Sequence, residues 1–236
     1  MTRQIPEMLA APGPCSYLPG KTSRTGYTSQ TPTQAELTEL VRQGWVYSAH
    51  GQVATQTRCM TCSSCWPIRV KALEFTPGRS QLRVQRANHE TQLVIGKPTI
   101  DAVRLDLYRR HHLARQAQKG WASKESAGAA YIESVINSSV PMSEWAFYRD
   151  GKLVAVSYVT NLDDAFLGTY YMYDPDYSHL SLGTWMVMTL IREAAARGFD
   201  YAYLGTFVSG CGSLEYKSGF RPNQVRKPFS NWQDFK

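Results

Sequence analysis

Residues 181–204 read SLGTWMVMTLIREAAARGFDYAYL, and they decide the fold. Ser181-Leu182-Gly183-Thr184 opens an apolar run from Trp185 to Arg197 that Gly198 closes. Trp185, Met186, Val187, Met188, Leu190, Ile191 and Ala194 occupy too much of a helical circumference for a surface helix, so this one is predicted to be largely buried. Tyr201 to Leu204 follows as a strand.

Working back, Phe166 to Tyr173 reads as a strand that stops at Asp174-Pro175. Trp145 to Tyr148 and Leu153 to Val159 flank Asp150-Gly151, a pair suited to a type I′ turn, and predict a hairpin. Asp101 caps a helix to about Ala117, and Ser123 another to about Ile136. Two helices, a hairpin, a third strand, a buried helix and a further strand make an α/β layout in the order of the N-acetyltransferase-like (GNAT-like) fold.

The first third is built differently. Pro12 to Thr33 is rich in Pro, Gly, Ser and Thr and reads as irregular. Thr33 and Glu36 form a capping-box pattern before a short helix, Gln34 to Gln43, that ends at Gly44. Trp45 to Tyr47 and Val53 to Thr57 suggest a hairpin, and Ile68 to Phe75 a strand. Gly96-Lys97-Pro98 breaks the pattern and divides the chain into a cysteine-bearing N-terminal domain, 1–97, and a GNAT-like domain, 98–236.

Composition narrows the function. With 236 residues, 43% hydrophobic and 19% charged, the chain is globular. No run approaches the roughly 18 apolar residues of a membrane span, and Met1 to Ala11 lacks a signal-peptide core, which predicts a cytoplasmic protein without a membrane partner. A net charge of +7 favours polyanions, nucleic acid first, or else a solubilising surface. Cys59, Cys62 and Cys65 form CxxCxxC, with Cys15 as a fourth thiol from the N-terminal loop. Four thiolates suit tetrahedral zinc or an iron–sulfur cluster, with His50 or His89 as substitute ligands; buried reduced cysteines are the plain alternative. Cys211 has no His nearby in sequence and reads as packing or turn.

A set of short, ordered motifs resembles one family, the aminoacyl-tRNA–protein transferases: arginyltransferases and the short bacterial aspartate/glutamate leucyltransferases. The motifs are Pro14-Cys15-Ser16-Tyr17-Leu18, the three clustered cysteines, Arg79-Ser80-Gln81-x-Arg83 with Arg86-Ala87-Asn88, and Asp174-Pro175-Asp176-Tyr177. Ser181-Leu182-Gly183-Thr184, Tyr203-Leu204-Gly205, Gly210-Cys211 and Tyr216-Lys217-x-x-Phe220-Arg221-Pro222 complete them. Departures from the family pattern are Thr206-Phe207 for an aromatic pair, Trp185 for Tyr, and Leu82 and Gln85 within the Arg-rich run.

The resemblance implies transfer of Leu, or Arg, from charged tRNA to a protein or peptide beginning with Asp or Glu, which marks it for regulated proteolysis. No cofactor is needed for that chemistry, because the tRNA ester is already activated and the attacking amine needs positioning. Ser181, Leu182, Gly183 and Thr184 at a helix start, with Gly205, are candidates to hold the tRNA end or acyl group; a simple helix cap is the alternative for the first four. Arg79, Arg83 and Arg86 are candidates for phosphate or acceptor carboxylate, or a solvated face. Asp174 is a candidate proton manager, against a turn role; Tyr203 and Lys217 are candidates to orient ribose, carbonyl or leaving hydroxyl, against packing and surface charge. Glu215 is a weaker base. Competing readings are an acetyl-CoA-dependent acetyltransferase, a tRNA-dependent transferase with another peptide or small-molecule acceptor, and a zinc-bearing RNA-binding module without turnover.

Overall fold

The computed structural model describes residues 4–120 and 125–235. In chain order the elements begin with β1 (Glu7–Leu9), β2 (Gly13–Pro14), β3 (Thr22–Ser23), β4 (Thr25–Thr28), α1 (Gln34–Arg42), β5 (Val46–Ser48) and β6 (Val53–Thr57). Then come β7 (Cys65–Lys71), α2 (Arg79–Ala87), β8 (Gln92–Gly96), α3 (Ala102–Lys119), α4 (Gly128–Ile136), β9 (Met142–Arg149), β10 (Lys152–Asn161) and β11 (Ala165–Tyr173). The last are α5 (Leu182–Ala196), β12 (Tyr201–Val208), α6 (Gly212–Glu215), β13 (Asn223–Arg226) and β14 (Trp232–Asp234).

Local chemistry explains the legible elements. Thr33 and Glu36 close the expected capping box on α1. Asp150 and Gly151 both hold positive φ, 49° and 72°, as the type I′ turn between β9 and β10 requires. Asp101 caps α3, its side chain accepting from the Arg104 N–H at 2.8 Å. The expected cap Ser123 lies outside the described residues. In α5, nine residues from Leu182 to Ala194 are buried, as its all-round apolarity predicts.

One eight-stranded sheet, in the order β14-β13-β7-β12-β11-β10-β9-β8, organises the molecule. β7 and β8 precede Lys97-Pro98, β8 ending on Gly96, and the other six strands follow, so the sheet runs across that segment. β7 pairs antiparallel with both β12 and β13, and β8 forms the edge beside β9. The β7 strand begins at Cys65, earlier than its hydropathy suggests, because Cys65 pairs with Val208 across the ladder. β8, a five-residue strand absent from the sequence reading, exists through its pairing with β9. The sole parallel pair among the described strands of this sheet is β11 with β12, and α5 supplies the crossover that a parallel pair demands.

The two faces carry separate cores. α5 packs on one face, where Met186, Met188, Leu190 and Ile191 meet Phe147, Val154, Phe166, Leu204 and Phe207, with Val84 of α2 against them. On the other, α3, α4 and α1 bring Leu107, Tyr108, Ile132, Val135, Leu37 and Val41 against Val156, Tyr158, Leu167 and Tyr203. A smaller sheet, β1-β4-β6-β5, joins this second layer through Tyr47 and Ala54. An antiparallel meander, a crossover helix and a parallel return strand constitute an N-acetyltransferase-like core.

Candidate active site

The parallel pairing of β11 and β12 covers Ala165↔Tyr201, Phe166↔Ala202 and Leu167↔Tyr203 and then stops, although both strands continue. Glycines stand where they part. A Cβ on Gly168 would meet the Tyr171 hydroxyl at 1.8 Å, so only glycine leaves room for that ring. Gly205 has φ of +74° and lies within the register shift between Tyr203 and Thr206. Its Cβ position is 3.8 Å from Lys217 Nζ and 3.9 Å from the Gly168 carbonyl oxygen. The opening between the strands is thus bordered by Gly168, Gly205 and Lys217.

Lys217 is buried, and its Nζ donates to the Thr206 carbonyl at 2.9 Å. Among the described residues it forms no ion pair. Burial pulls its pKa down to about 8, with Cys211 acting weakly in the opposite direction. The surface-charge reading of Lys217 is therefore corrected: a buried ammonium with no carboxylate titrates near the pH at which an α-amine does. Cys211 enters as a neighbour of that lysine.

Above the opening, α5 starts on Ser181, whose backbone is left-handed (φ 52°, ψ 45°) and whose side chain makes no capping hydrogen bond. The helix start therefore keeps unsatisfied N–H groups. Leu182 is fully buried in the core, so its side chain is packing and only its backbone remains to contact a ligand. The Cβ position of Gly183 lies 3.5 Å from the Tyr173 ring. The Thr184 N–H is used internally, donating to the Ser181 carbonyl at 2.9 Å.

Asp174 and Tyr203 sit apart from Lys217 in their bonding. Both Asp174 oxygens are engaged by Arg110, at 2.9 and 2.6 Å, and Oδ1 also accepts from the Asp176 N–H at 3.0 Å. It holds α3 to the end of β11 and caps the 3-10 turn Pro175–Leu180. The Tyr203 hydroxyl accepts from Arg69 Nη1 at 3.2 Å, and its ring belongs to the core opposite α5. The Arg69 guanidinium lies 3.6 Å from the Tyr201 ring centre and 4.3 Å from that of Trp232, a cation stack that fixes Tyr203.

Arg79, Arg83 and Arg86 are exposed on α2 at spacings of four and three, which place them on one face of the helix. None forms a salt bridge among the described residues. That is a basic stripe open to a polyanion.

The sequence reading missed three residues that gather here, Arg115, Tyr171 and Tyr173, and gave no role to a fourth, Tyr216, which it met only as part of a motif. The Tyr171 hydroxyl is buried over Gly168 without a hydrogen-bond partner. Gly168 inside an apolar strand was the one available signal, since a strand glycine marks a close approach. Arg115 carried no signal among the many basic residues of α3.

The thiols of Cys15 and Cys65 lie on the same side as Cys211, all three acting on Tyr17, and Cys59 and Cys62 act with Cys15 on Cys65. Burial pushes Cys65 up to about 11, and the charges of Cys59, Cys15 and Cys62 add to that. Cys62 is held below the ordinary thiol value by Ser64, whose Oγ is 3.5 Å from the sulfur. Cys15 Sγ accepts from the Leu18 N–H at 3.4 Å. Mutual repulsion of this kind is what a bound cation relieves, so the donor chemistry fits zinc or a cluster. Among the described residues, however, no three His, Cys, Asp or Glu side chains are grouped to hold a metal ion.

Strand splay, uncapped helix start and antiparallel-meander topology together define a protein of the N-acetyltransferase-like fold with an open cleft beside its crossover helix. Comparison with known proteins narrows the class. The family "Arginine-tRNA-protein transferase" matches in two parts, its N terminus over residues 13–83 and its C terminus over residues 103–227. An aspartate/glutamate leucyltransferase of Campylobacter jejuni is 32% identical over 215 residues, covering 90% of this chain and 89% of its own. One from Chromobacterium violaceum is 34% identical over 221 residues, covering 91% and 88%. A tandem GNAT protein from the clavulanic acid biosynthesis pathway superposes over 87% of this chain and 78% of its own, at 10% identity and a TM-score of 0.44. The chain belongs to the aminoacyl-tRNA–protein transferase family and is an aminoacyltransferase. No helix among the described residues is long and apolar enough to cross a membrane.

Proposed function

We propose that this chain moves leucine from leucyl-tRNA onto the α-amine of proteins beginning with Asp or Glu, in the cytoplasm where charged tRNA is available. Relatives of matching length bear the name aspartate/glutamate leucyltransferase, which supports the donor and the acceptor. The observation that carries the chemistry is Lys217, a buried amine with no acid partner among the described residues, at the parting of β11 and β12.

The acceptor amine attacks the acyl carbon, the new C–N bond forms, and the ester C–O bond to the ribose breaks. The amine nitrogen gives up one proton as the ribose oxygen gains one. A lysine titrating near 8 takes the first proton in its neutral form and supplies the second, or steadies the oxyanion, in its charged form. The N–H groups at the start of α5 bind the phosphate or ribose of the tRNA end. The α2 stripe of Arg79, Arg83 and Arg86 follows the RNA backbone, each contact adding salt dependence.

Metal or cluster on Cys15, Cys59, Cys62 and Cys65 belongs to the same proposal as a structural element, and no step of transfer runs through it. Metal analysis and an ultraviolet–visible spectrum after anaerobic purification decide between zinc, cluster and free thiols. For the reaction, purified protein is given individually charged tRNAs and peptides beginning with Asp, Glu, Arg, Lys or Ala. Leucine transfer confined to the Asp and Glu peptides is the expected result. Acetylation by acetyl-CoA, with no transfer from any charged tRNA, overturns the reading.

A further inference from the structure

Helix α3 sends two arginines to the end of β11, and they meet different surroundings. Arg110 is neutralised within the chain, by Asp174 at 2.6 Å and Asp176 at 2.7 Å. Arg115 meets no carboxylate among the described residues. One Nη donates to the Tyr173 hydroxyl, the guanidinium carbon lies 5.0 Å from the centre of the Tyr173 ring, and the buried Nε has no partner.

The groups around Arg115 are donors. Because the Tyr173 hydroxyl accepts from Arg115, its own proton is left for another acceptor. Tyr216 shares this environment: its hydroxyl is pushed up to about 12 by burial first, then by Tyr173, with Arg115 opposing. The Tyr173 ring also touches the start of α5 at Gly183. A half-buried guanidinium without a counter-ion is costly, and an arriving oxyanion offsets that cost.

We propose that Arg115 and Tyr173 form the subsite that receives the side-chain carboxylate of the acceptor's N-terminal residue. The inference rests on the acidic-acceptor reading above and assigns the residues that enforce it. An RNA phosphate is the rival occupant. The exposed stripe on α2 suits an extended polyanion, whereas a single half-buried fork beside a tyrosine hydroxyl suits one small planar anion. Tyr216 also acts on Tyr171, whose hydroxyl lies over Gly168, and Gly168 borders the opening where Lys217 sits, so the carboxylate pocket connects with the amine that handles the acceptor's proton.

The test compares wild type, Arg115→Gln, Arg115→Lys and Tyr173→Phe with leucyl-tRNA and peptides that differ only in a first residue of Asp, Glu or Asn. The Kd for deacylated leucine tRNA is measured on the same proteins. Arg115→Gln is expected to raise KM for the Asp and Glu peptides roughly 100-fold and to abolish preference for Asp over Asn, with tRNA Kd unchanged. Arg115→Lys keeps charge but loses the fork, and Tyr173→Phe loses one donor, so both give smaller shifts in the same direction. These two carry the test if Arg115→Gln does not fold. Retention of the wild-type Asp/Asn ratio overturns the proposal, and if tRNA affinity falls at the same time Arg115 is a phosphate ligand. A wild-type protein that transfers nothing to acidic peptides refutes the function itself, a result separate from any variant.

Discussion

Two buried cations stand in this molecule on opposite terms. At the sheet's edge, Arg104 reaches Glu144 of β9 through Nε at 3.0 and 2.9 Å and through Nη2 at 2.5 Å. Both side chains are nearly enclosed, at 12% and 4% exposure, and the hydrogen bonds that Arg104 donates to Glu144 raise the arginine's pKa. At the parting of β11 and β12, Lys217 is enclosed as well but has one carbonyl oxygen for company, and its pKa falls. Both cations are largely withdrawn from solvent, Lys217 the more so, and the partner differs. A buried charge with its counter-ion supplied by the chain is architecture, whereas one left without it is held ready to exchange a proton.

That contrast breaks first at Lys217. Lys217→Met is expected to slow single-turnover leucine transfer by a factor on the order of 100 to 10,000. Stability at pH 7 should not fall, since an unpaired buried ammonium is replaced by an apolar chain of similar length. The sign with pH is definite. Between about 8, the folded value, and 10.5, the ordinary value, the unfolded chain keeps a proton that the folded chain has lost. Stability therefore rises across that window, and its cost is fully present below it. Chemical denaturation at a series of pH values should show this rise in wild type relative to the variant. A variant with wild-type transfer rate, or a difference that does not change with pH, ends the comparison.

The edge pair should respond in the opposite sense. Glu144→Ala leaves Arg104 buried without its partner and is expected to cost about 3–5 kcal/mol of stability. The transfer rate per folded molecule should be unchanged. A urea titration that moves by less than about 1 kcal/mol would show that Asp101, which also bonds Arg104, suffices alone.

Tyr171→Phe gives the smallest effect and sharpens the picture of the opening. The hydroxyl over Gly168 has no partner, so removing it should leave stability within about 0.5 kcal/mol or raise it. Denaturation midpoints check this. A larger loss means that the hydroxyl is bonded in solution.

Much of the scaffold could be read in advance because its causes are local. A capping box, an Asp-Gly turn and an apolar run from Trp185 to Ala194 act within a few residues of themselves. β8 escaped, since Gln92–Gly96 is short, mostly exposed and next to a Pro and Gly break, and only pairing with β9 makes it a strand. The insertion of β7 between β12 and β13 escaped for the same reason, and with it the continuity of the sheet across Gly96-Lys97.

Among the candidate site residues, ordered motifs single out Gly183, Gly205 and Lys217, yet those motifs do not say what each does. Asp174 looked free in sequence and is gripped by Arg110, sixty-four positions away; Tyr203 looked available and is held by Arg69. By itself the sequence determined α1, α3, α4 and α5, the Asp-Gly hairpin, the basic surplus and the family, because periodicity, turn chemistry and motif order are written along the chain. Tertiary structure alone decided which charges find partners, because a counter-ion is a matter of distance in space. It neutralised Arg104 and Arg110, and among the described residues it left Lys217 and Arg115 without an acid.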